Sequence, residues 1–282
     1  MRKVLRGVAC AALPGELAII VCLLAGVRVP GYVLLAAEAV VVAVVLAELA
    51  VFVGLRRQGR TSREAVAALV PEPVRRLLGH ELRLWAALGR WVARRRHGVG
   101  PGDLAFGHAK AQTALLWGFA FVCVVETVGL HVLLAGVPVV QMAFLVLDAY
   151  TVVLIVGLQA AAVTRPHVVR ADGGLRVRSG AHVDLLLPAE RIVSVRYELG
   201  LNPGRKVDGL LELAVASQTS VTVELSEPGV EAVSLLGKRR PVTTVRFHAD
   251  DARALVAAFG RAAEVRQGRT APSRNPGLPA SA

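Results

Sequence analysis

Four apolar segments constrain this chain more than any other feature of its sequence. Each has the roughly 20 residues that a helix needs to cross a hydrocarbon core of about 30 Å. Short connections containing Pro30 and Pro138 join them in pairs, so the sequence predicts two transmembrane hairpins. Only 19% of the residues are charged, fewer than the roughly 25% of an average soluble domain. The predicted spans are residues 8–27, 32–55, 113–135 and 137–163.

A secretory signal peptide is the alternative interpretation of the first span. Arg2 and Lys3 resemble a basic leader, but Glu16 falls within the apolar core and no small-x-small cleavage motif follows. We therefore predict an uncleaved first helix.

Basic residues predict the orientation, because cytoplasmic loops of membrane proteins carry an excess of Lys and Arg. Residues 56–110 hold eleven Arg and one Lys against four acidic residues, whereas the connection between the last two spans has no charge. The sequence thus predicts a multi-pass protein of the plasma membrane with both termini in the cytoplasm.

The basic cytoplasmic segment, residues 56–112, contains two predicted helices. Thr61 and Glu64 form a capping box for a short helix that ends near Pro71. A longer helix from Pro73 to about Arg96 carries an apolar stripe with tryptophans and a separate arginine face. One interpretation is that this helix lies on the anionic inner leaflet, the other is that its apolar face packs against the β domain or the bundle, and the two are compatible. The membrane-interface candidates are Trp85, Trp91, Arg76, Arg83, Arg90 and Arg94.

Residues 164–266 change to an alternating pattern that predicts a β domain. The seven predicted strands are 167–170, 175–178, 183–187, 191–199, 210–216, 220–226 and 242–248, and a helix capped by Asp250 or Asp251 follows them. Residues 267–282 are rich in Pro, Ser, Gly and Arg, which predicts a disordered tail.

Seven strands followed by one helix form the outline of a pleckstrin-homology (PH)-like barrel. The stretches Arg165-Pro166-His167, Leu175–Gly180 and Leu187–Ile192 are similar to bacterial PH-like domains. The whole chain resembles uncharacterised high-GC bacterial integral membrane proteins with such a C-terminal domain; Glu126, His131 and residues 244–251 look like shared features. The resemblance implies an α+β membrane protein with a cytoplasmic PH-like β-barrel. It implies no catalytic residue, because that family carries no assigned activity.

Three arginines near the start of the β domain are candidate contacts for an anion or a partner. Arg176 and Arg178 share a strand face, and Arg170 lies one loop away. The alternative is that they are solvated edge charges that discourage edge-to-edge aggregation.

Ionisable and amide side chains inside the predicted spans are the sharpest functional candidates, because such groups are costly in a bilayer. Glu126 and Asp148 lie near the midplane, about 15 Å deep by the helical rise. They either face a hydrated cavity or form hydrogen bonds across helices. The complete set is Glu126, Asp148, Glu38, His131, Gln141, Gln159, Glu16 and Glu48.

Catalytic and cofactor motifs are missing from the sequence. Cys10, Cys22 and Cys123 lack metal-site spacing, and no P-loop, nucleophile elbow or GxGxxG occurs. We expect no cofactor, no metal and no nucleic-acid partner, but contacts with inner-leaflet lipids and with a protein partner or a second copy. The sequence favours a non-enzymatic, membrane-anchored interaction or assembly module. The alternatives are a small oligomeric transporter or proton-coupled channel using Glu126 and Asp148, and thirdly an intramembrane enzyme.

Overall fold

The computed structural model describes residues 30–201, 207–227, 229–233 and 239–270. The predicted first span with Glu16 lies outside the described residues. Among those described, three helices are long and apolar enough to cross a membrane, in agreement with three of the four predicted spans. They are α1 (Gly31–Arg57), α4 (Lys110–Leu133) and α5 (Pro138–Thr164).

Two short-range signals in the basic segment produce the predicted helices. Helix α2 (Ser62–Leu69) begins with the Thr61 capping box, in which Glu64 N donates to Thr61 Oγ1 at 3.3 Å and Thr61 N donates to Glu64 Oε2 at 2.9 Å. Helix α3 (Glu72–Val92) ends before the predicted Arg96. It ends there because Arg94 adopts a left-handed φ of 52° and the Arg95 amide bonds back to Arg90 O at 2.8 Å.

The chain divides into two compact units. Among the described residues, one unit comprises 30–76 and 127–147, and the other comprises 77–126 and 148–270 without the undescribed gaps. The second unit therefore holds most of α3, the C-terminal part of α5 and the β domain.

The first sheet of the second unit contains a strand that the sequence did not predict. Strand β1 (Leu104–Phe106) comes from the basic segment between the hairpins and pairs antiparallel with β2 (His167–Val169). Strands β3 (Leu175–Ser179) and β4 (Val183–Leu187) follow as an antiparallel meander, giving the order β1-β2-β3-β4. Residues outside the predicted β domain thus complete its first sheet.

A second four-stranded sheet has the order β5-β7-β10-β6, and β8 and β9 form a separate pair. Strand β6 pairs with β10 in parallel, whereas the other neighbours are antiparallel. The strands are β5 (Ile192–Leu201), β6 (Leu210–Leu213), β7 (Gln218–Leu225), β8 (Val230–Val233), β9 (Arg239–Val242) and β10 (Thr244–Phe247).

The closed PH-like barrel predicted from the sequence is not confirmed, because both four-stranded sheets are open in the described part of the chain. The predicted strand 183–187 has the predicted bounds, the other six predicted strands are present with shifted ends, and β1, β8 and β9 were missed. Helix α6 (Ala252–Thr270) follows β10, and Asp251 Oδ1 accepts from Ala254 N at 3.1 Å as the predicted cap. The helix extends to Thr270, so residues 267–270 of the predicted disordered tail are helical; residues 271–282 lie outside the described residues.

The β domain is held together by one apolar core between its sheets and α6. Phe247 and Val245 of β10, Val221 and Val223 of β7 and Leu255 of α6 are fully buried in it. Burial of each such side chain stabilises the fold by about 1.5–3 kcal/mol before conformational entropy is counted.

A second, smaller core joins α3 to the end of α5. Leu84 and Ala87 of α3 pack against Ala160 and Ala161 of α5. A Cβ at Gly157 would lie 3.4 Å from Leu84 Cβ, so the small side chains on α5 permit this close approach. The structure therefore places the buried face of α3 against α5, one of the helices long and apolar enough to cross a membrane.

Candidate functional site

Asp184 forms ion pairs with three arginines where α5 leads into the β domain. Arg176 binds Asp184 in a bidentate pair, with Nε–Oδ1 at 2.6 Å and Nη2–Oδ2 at 2.9 Å. Arg165 Nη2 lies 2.9 Å from Oδ2, and Arg178 Nε lies 3.4 Å from Oδ1. Burial alone raises the pKa of Asp184, but these three guanidinium groups outweigh burial and lower the pKa below its ordinary value.

Arg178 is the only arginine that is fully buried in the described residues, with 0% exposure. Its Nη1 donates to His97 O at 2.7 Å and to Pro166 O at 3.3 Å, and Nη2 reaches Gly98 O at 3.5 Å. A methyl group at Gly98, whose φ is +63°, would overlap Arg178 Nη2. Arg178 therefore binds the loop after α3 to the first sheet, and it is not available to an external anion.

Three histidines, His108, His167 and His248, cluster beside Arg178. His167 is held in one neutral tautomer, because Nδ1 accepts from Arg178 N at 3.1 Å and Nε2 donates to His248 O at 2.9 Å. Its ring lies between His108 and Phe247, with ring centroids at 4.7 and 4.6 Å. Burial lowers the pKa of His167 well below its ordinary value and lowers that of His108 to about 4. Both rings are therefore neutral near pH 7.

His108 differs from His167 in its hydrogen bonds. Neither of its buried ring nitrogens has a partner among the described residues. The described residues contain no group of three or more His, Cys, Asp or Glu side chains suitably placed for a metal.

Both ends of the second hairpin are bonded to the rest of this unit. Asp250 Oδ1 accepts from Lys110 N, the first residue of α4, at 3.0 Å, and Asp250 N donates to Gly107 O at 2.8 Å. At the end of α5, Thr164 O accepts from His97 N at 2.8 Å. The β domain is therefore attached to α4 and α5 by side-chain and backbone bonds as well as by chain connectivity.

Three consecutive arginines, Arg94 to Arg96, line a cavity of about 510 Å³ beside this junction. Trp91 and the last two residues of α5, Val163 and Thr164, form its other walls. In the described part of the chain, the side chains of these arginines make no ion pair, and no acidic residue lines the cavity. Of the three, only Arg94 was predicted as an interface residue.

The other predicted interface residues lie on three faces of α3: an exposed apolar stripe, an apolar stripe packed on protein, and an arginine face. Trp85 is 48% exposed on a stripe with Val74, Leu78 and Leu82, while Trp91 is partly buried against the α3–α5 core. The arginines lie on another face: Arg76 pairs with Glu72, Arg83 Nη1 donates to Ala181 O at 3.3 Å, and Arg90 is partly buried. Helix α3 thus has one apolar stripe packed on protein and a second one exposed.

The structure brings together two of the predicted anion contacts and separates the third. Arg176 and Arg178 share Asp184, whereas Arg170 pairs with Asp172 at 2.9 Å. None of the three is a free cation.

The predicted intramembrane residues do not form one cluster. Gln159 is buried and donates from Nε2 to Thr113 Oγ1 at 2.8 Å, and Gln141 Nε2 donates to His131 O at 2.7 Å. Asp148 is half-buried, and its Oδ2 has no partner among the described residues. The remaining described members, Glu38, Glu48 and Glu126, are exposed on their helices, as is the His131 side chain.

Strand β5 is an unusual edge strand. It is ten residues long and pairs only with β7 in the described residues. Four apolar side chains on it are exposed: Val193 (67%), Tyr197, Leu199 and Leu201 (70%). Natural edge strands are commonly short or charged, because an open apolar edge is a template for another strand.

Sequence reasoning missed Arg165, Asp184, His97, His108 and Asp250 as members of this site. Arg165, His167 and residues 244–251 did appear in the motifs quoted for the resemblance, which was the available signal. Two of the missed pairings join residues 81 and 140 positions apart, Arg178 with His97 and Asp250 with Lys110, whereas those of Asp184 join neighbouring strands and the end of α5, 6 to 19 positions away. No local pattern reports such pairs.

Comparison of the chain with protein-family models, curated proteins and solved structures finds no match in any of the three.

Proposed function

We propose that the chain is a non-enzymatic, membrane-anchored module that holds its β domain at the inner leaflet for interaction and assembly. The proposal takes four spans in two hairpins, with both termini in the cytoplasm. Three described helices of sufficient length and apolarity support the spans, and the arginine-rich connection between the hairpins supports the orientation.

The observation that carries this proposal is the bonded junction between helices and sheet. The first residue of α4 is capped by Asp250, and the last residue of α5 is bonded to His97, which Arg178 in turn holds. These bonds fix the β domain relative to the ends of α4 and α5, which suits a module that presents a surface at a fixed place below the bilayer.

The relation to PH-like domains belongs to this proposal. Strands β2, β3 and β4 form an antiparallel meander and α6 follows the last strand, which favours the relation. The open sheets and the parallel β6–β10 pair depart from it.

The surface proposed for assembly is the free edge of β5, and its proposed occupant is β5 of a second copy. Two such strands can pair antiparallel through their backbones, and the exposed Val193, Leu199 and Leu201 would be covered at the same time. Because the same strand of each copy pairs around a twofold axis, the contact produces a closed dimer.

Cysteine cross-linking in native membranes tests this assignment. In a full-length background with the three native cysteines replaced by alanine, Tyr197→Cys lies near the strand centre and should give a disulfide-linked dimer. Leu186→Cys, on the exposed side of β4, is the matched control and should not. Equal cross-linking at both positions, or none at Tyr197→Cys, would contradict self-pairing of β5. A β5-specific adduct with a different protein would replace the second copy by that partner.

One observation keeps the transport alternative as a second candidate: the unpartnered Oδ2 of Asp148. A carboxylate oxygen without a partner inside a spanning helix is costly unless water or an ion reaches it. Reconstituted Asp148→Asn and Glu126→Gln proteins should lose proton-coupled flux if this function is correct. Unchanged flux in variants that fold normally would exclude it.

A further inference from the structure

The cavity beside the end of α5 is built from cations and apolar groups. Arg94, Arg95 and Arg96 line one part of it, and Trp91 and Val163 supply apolar walls. Its volume of about 510 Å³ is within the range of small-molecule sites.

The backbone holds these arginines in place. Helix α3 stops because Arg94 is left-handed, with Arg94 N bonded to Trp91 O at 3.0 Å and Arg95 N bonded to Arg90 O at 2.8 Å. Two residues later, His97 N is bonded to Thr164 O of α5. The arginine loop is therefore fixed at both ends against two helices.

The electrostatics of the loop favour an anion. The described residues offer these three guanidinium groups no carboxylate, although nearby Arg165, Arg176 and Arg178 share Asp184. Partial burial lowers the pKa of His97, and the positive charge of Arg90, Arg178 and other arginines lowers it further. The surroundings of the loop are thus strongly positive.

The position along α5 matches the headgroup layer. Its 27 residues span about 40 Å, close to the thickness of a bilayer including its headgroups. If Pro138 lies at the outer surface, Thr164 and the cavity lie at the level of the inner-leaflet phosphates.

We propose that this cavity binds the phosphate group of an anionic phospholipid in the inner leaflet. The guanidinium groups of Arg94, Arg95 and Arg96 donate to the phosphate oxygens, which is the planar, multidentate recognition that arginine provides. Trp91 and Val163 contact the glycerol and upper acyl region. The inference rests on the proposed membrane anchoring and adds to it a specific lipid site.

Trp91 fluorescence reports occupancy of this site. The full-length protein, with Trp85→Phe and Trp117→Phe, is titrated in detergent with dihexanoylphosphatidylglycerol, dihexanoylphosphatidylcholine or inorganic phosphate. We expect saturable binding of the glycerol lipid at concentrations where the other two give little change. The triple variant Arg94→Gln/Arg95→Gln/Arg96→Gln should bind roughly 100-fold more weakly, about fivefold for each lost charge.

Two further variants distinguish a loss of binding at the cavity from effects of the overall positive charge and of misfolding. Arg56→Gln/Arg57→Gln/Arg60→Gln removes three arginines outside the cavity and should change the affinity less than twofold. Arg94→Lys/Arg95→Lys/Arg96→Lys keeps the charge and should retain binding within about tenfold.

Wild-type affinity in the cavity triple variant would overturn the assignment. If inorganic phosphate binds as tightly as dihexanoylphosphatidylglycerol, the cavity is a site for free anions and the proposal of a lipid ligand is contradicted. Resistance of the wild-type protein to alkaline carbonate extraction is measured in parallel. Extraction of the protein by carbonate would contradict the proposed membrane anchoring. If the protein resists extraction but does not discriminate between the lipids, only the proposed lipid site is contradicted.

Discussion

Two groups of arginines lie close together in the second unit and behave differently. Arg165, Arg176 and Arg178 surround Asp184, and Arg178 is fully buried with carbonyl oxygens as further partners. Arg94, Arg95 and Arg96 line a cavity, and in the described residues no acid balances them. An arginine side chain has a structural role where its N–H donors are satisfied inside the protein, and it is available to bind a ligand where they are not. The local environment, and not the residue type, separates the two roles.

The largest effect should come from the centre of the buried group. Arg178→Met leaves the carbonyls of His97 and Pro166 without their donor and should lower the free energy of unfolding by about 3–5 kcal/mol. Chemical denaturation of the full-length protein measures this loss. Arg170→Gln, which removes a partly exposed pair with Asp172, is the control and should cost less than about 1 kcal/mol. Similar losses in both variants would contradict the difference between buried and surface arginines.

The partner carboxylate should give a smaller loss with a defined pH dependence. Asp184→Asn should cost about 2–3 kcal/mol at pH 7, because three guanidinium groups lose their counter-charge. The folded pKa of Asp184 is lowered, so its contribution is complete above the unfolded value of about 4 and is lost as pH falls through the folded pKa. The stability difference between wild type and variant should therefore be constant from pH 8 to 5 and shrink below about pH 4. A difference that grows on acidification would contradict the ion-pair assignment.

The histidine cluster should respond in a different pH range. The pKa of buried His108 falls to about 4, so the unfolded chain takes up a proton below about pH 6.5 that the folded protein does not. Wild-type stability should then decrease by about 1.4 kcal/mol per pH unit between 6.5 and 4 from this residue alone. His108→Phe removes this loss and the unpartnered ring nitrogens, so it should be about 2 kcal/mol more stable than wild type at pH 5. Unfolding curves with the same acid sensitivity in both proteins would show that His108 is not buried and neutral.

The contact between sheet and helix start should have a moderate effect. Asp250→Ala removes the acceptor for Lys110 N and should destabilise the protein by about 1 kcal/mol, the usual value for a helix cap. Asp250→Asn keeps an acceptor oxygen and should retain most of the stability. The melting temperature of the purified protein measures both, and an equal loss in the two variants would assign the effect to charge instead of capping.

The unpaired arginines should have the smallest effect on folding. Replacing Arg94, Arg95 and Arg96 together by Gln should change the free energy of unfolding by less than about 0.5 kcal/mol, while lipid binding weakens roughly 100-fold. A large destabilisation would place these residues with the buried group and remove the contrast between the two.

The sequence predicted the features that depend on neighbouring residues. Continuous apolar runs indicated α1, α4 and α5 to within a few residues, because the length of a spanning helix follows from bilayer thickness. The Thr61 capping box and the Asp251 cap were also confirmed, since both are set by residues three positions apart.

Features that depend on pairing between strands were missed or were not confirmed. Strand β1 has three residues and becomes a strand only by pairing with β2, and the closed barrel was inferred from strand number without knowledge of the parallel β6–β10 pair. Arg176 and Arg178 were placed correctly on one strand face. However, their partner Asp184 lies on the next strand, and a count of charges cannot show which arginines it neutralises.

Hydrogen exchange across residues 97–109 tests most directly whether the β domain is fixed to helices α4 and α5. This segment contains the His97 amide bonded to Thr164 and strand β1 paired with β2. In the detergent-purified full-length protein, we expect the His97 amide and the paired amides of β1 to exchange as slowly as those of strands β2 to β4, and Arg178→Met to accelerate their exchange. Exchange of these amides within seconds, with the sheet still protected, would mean that the β domain is only tethered and would contradict a fixed junction.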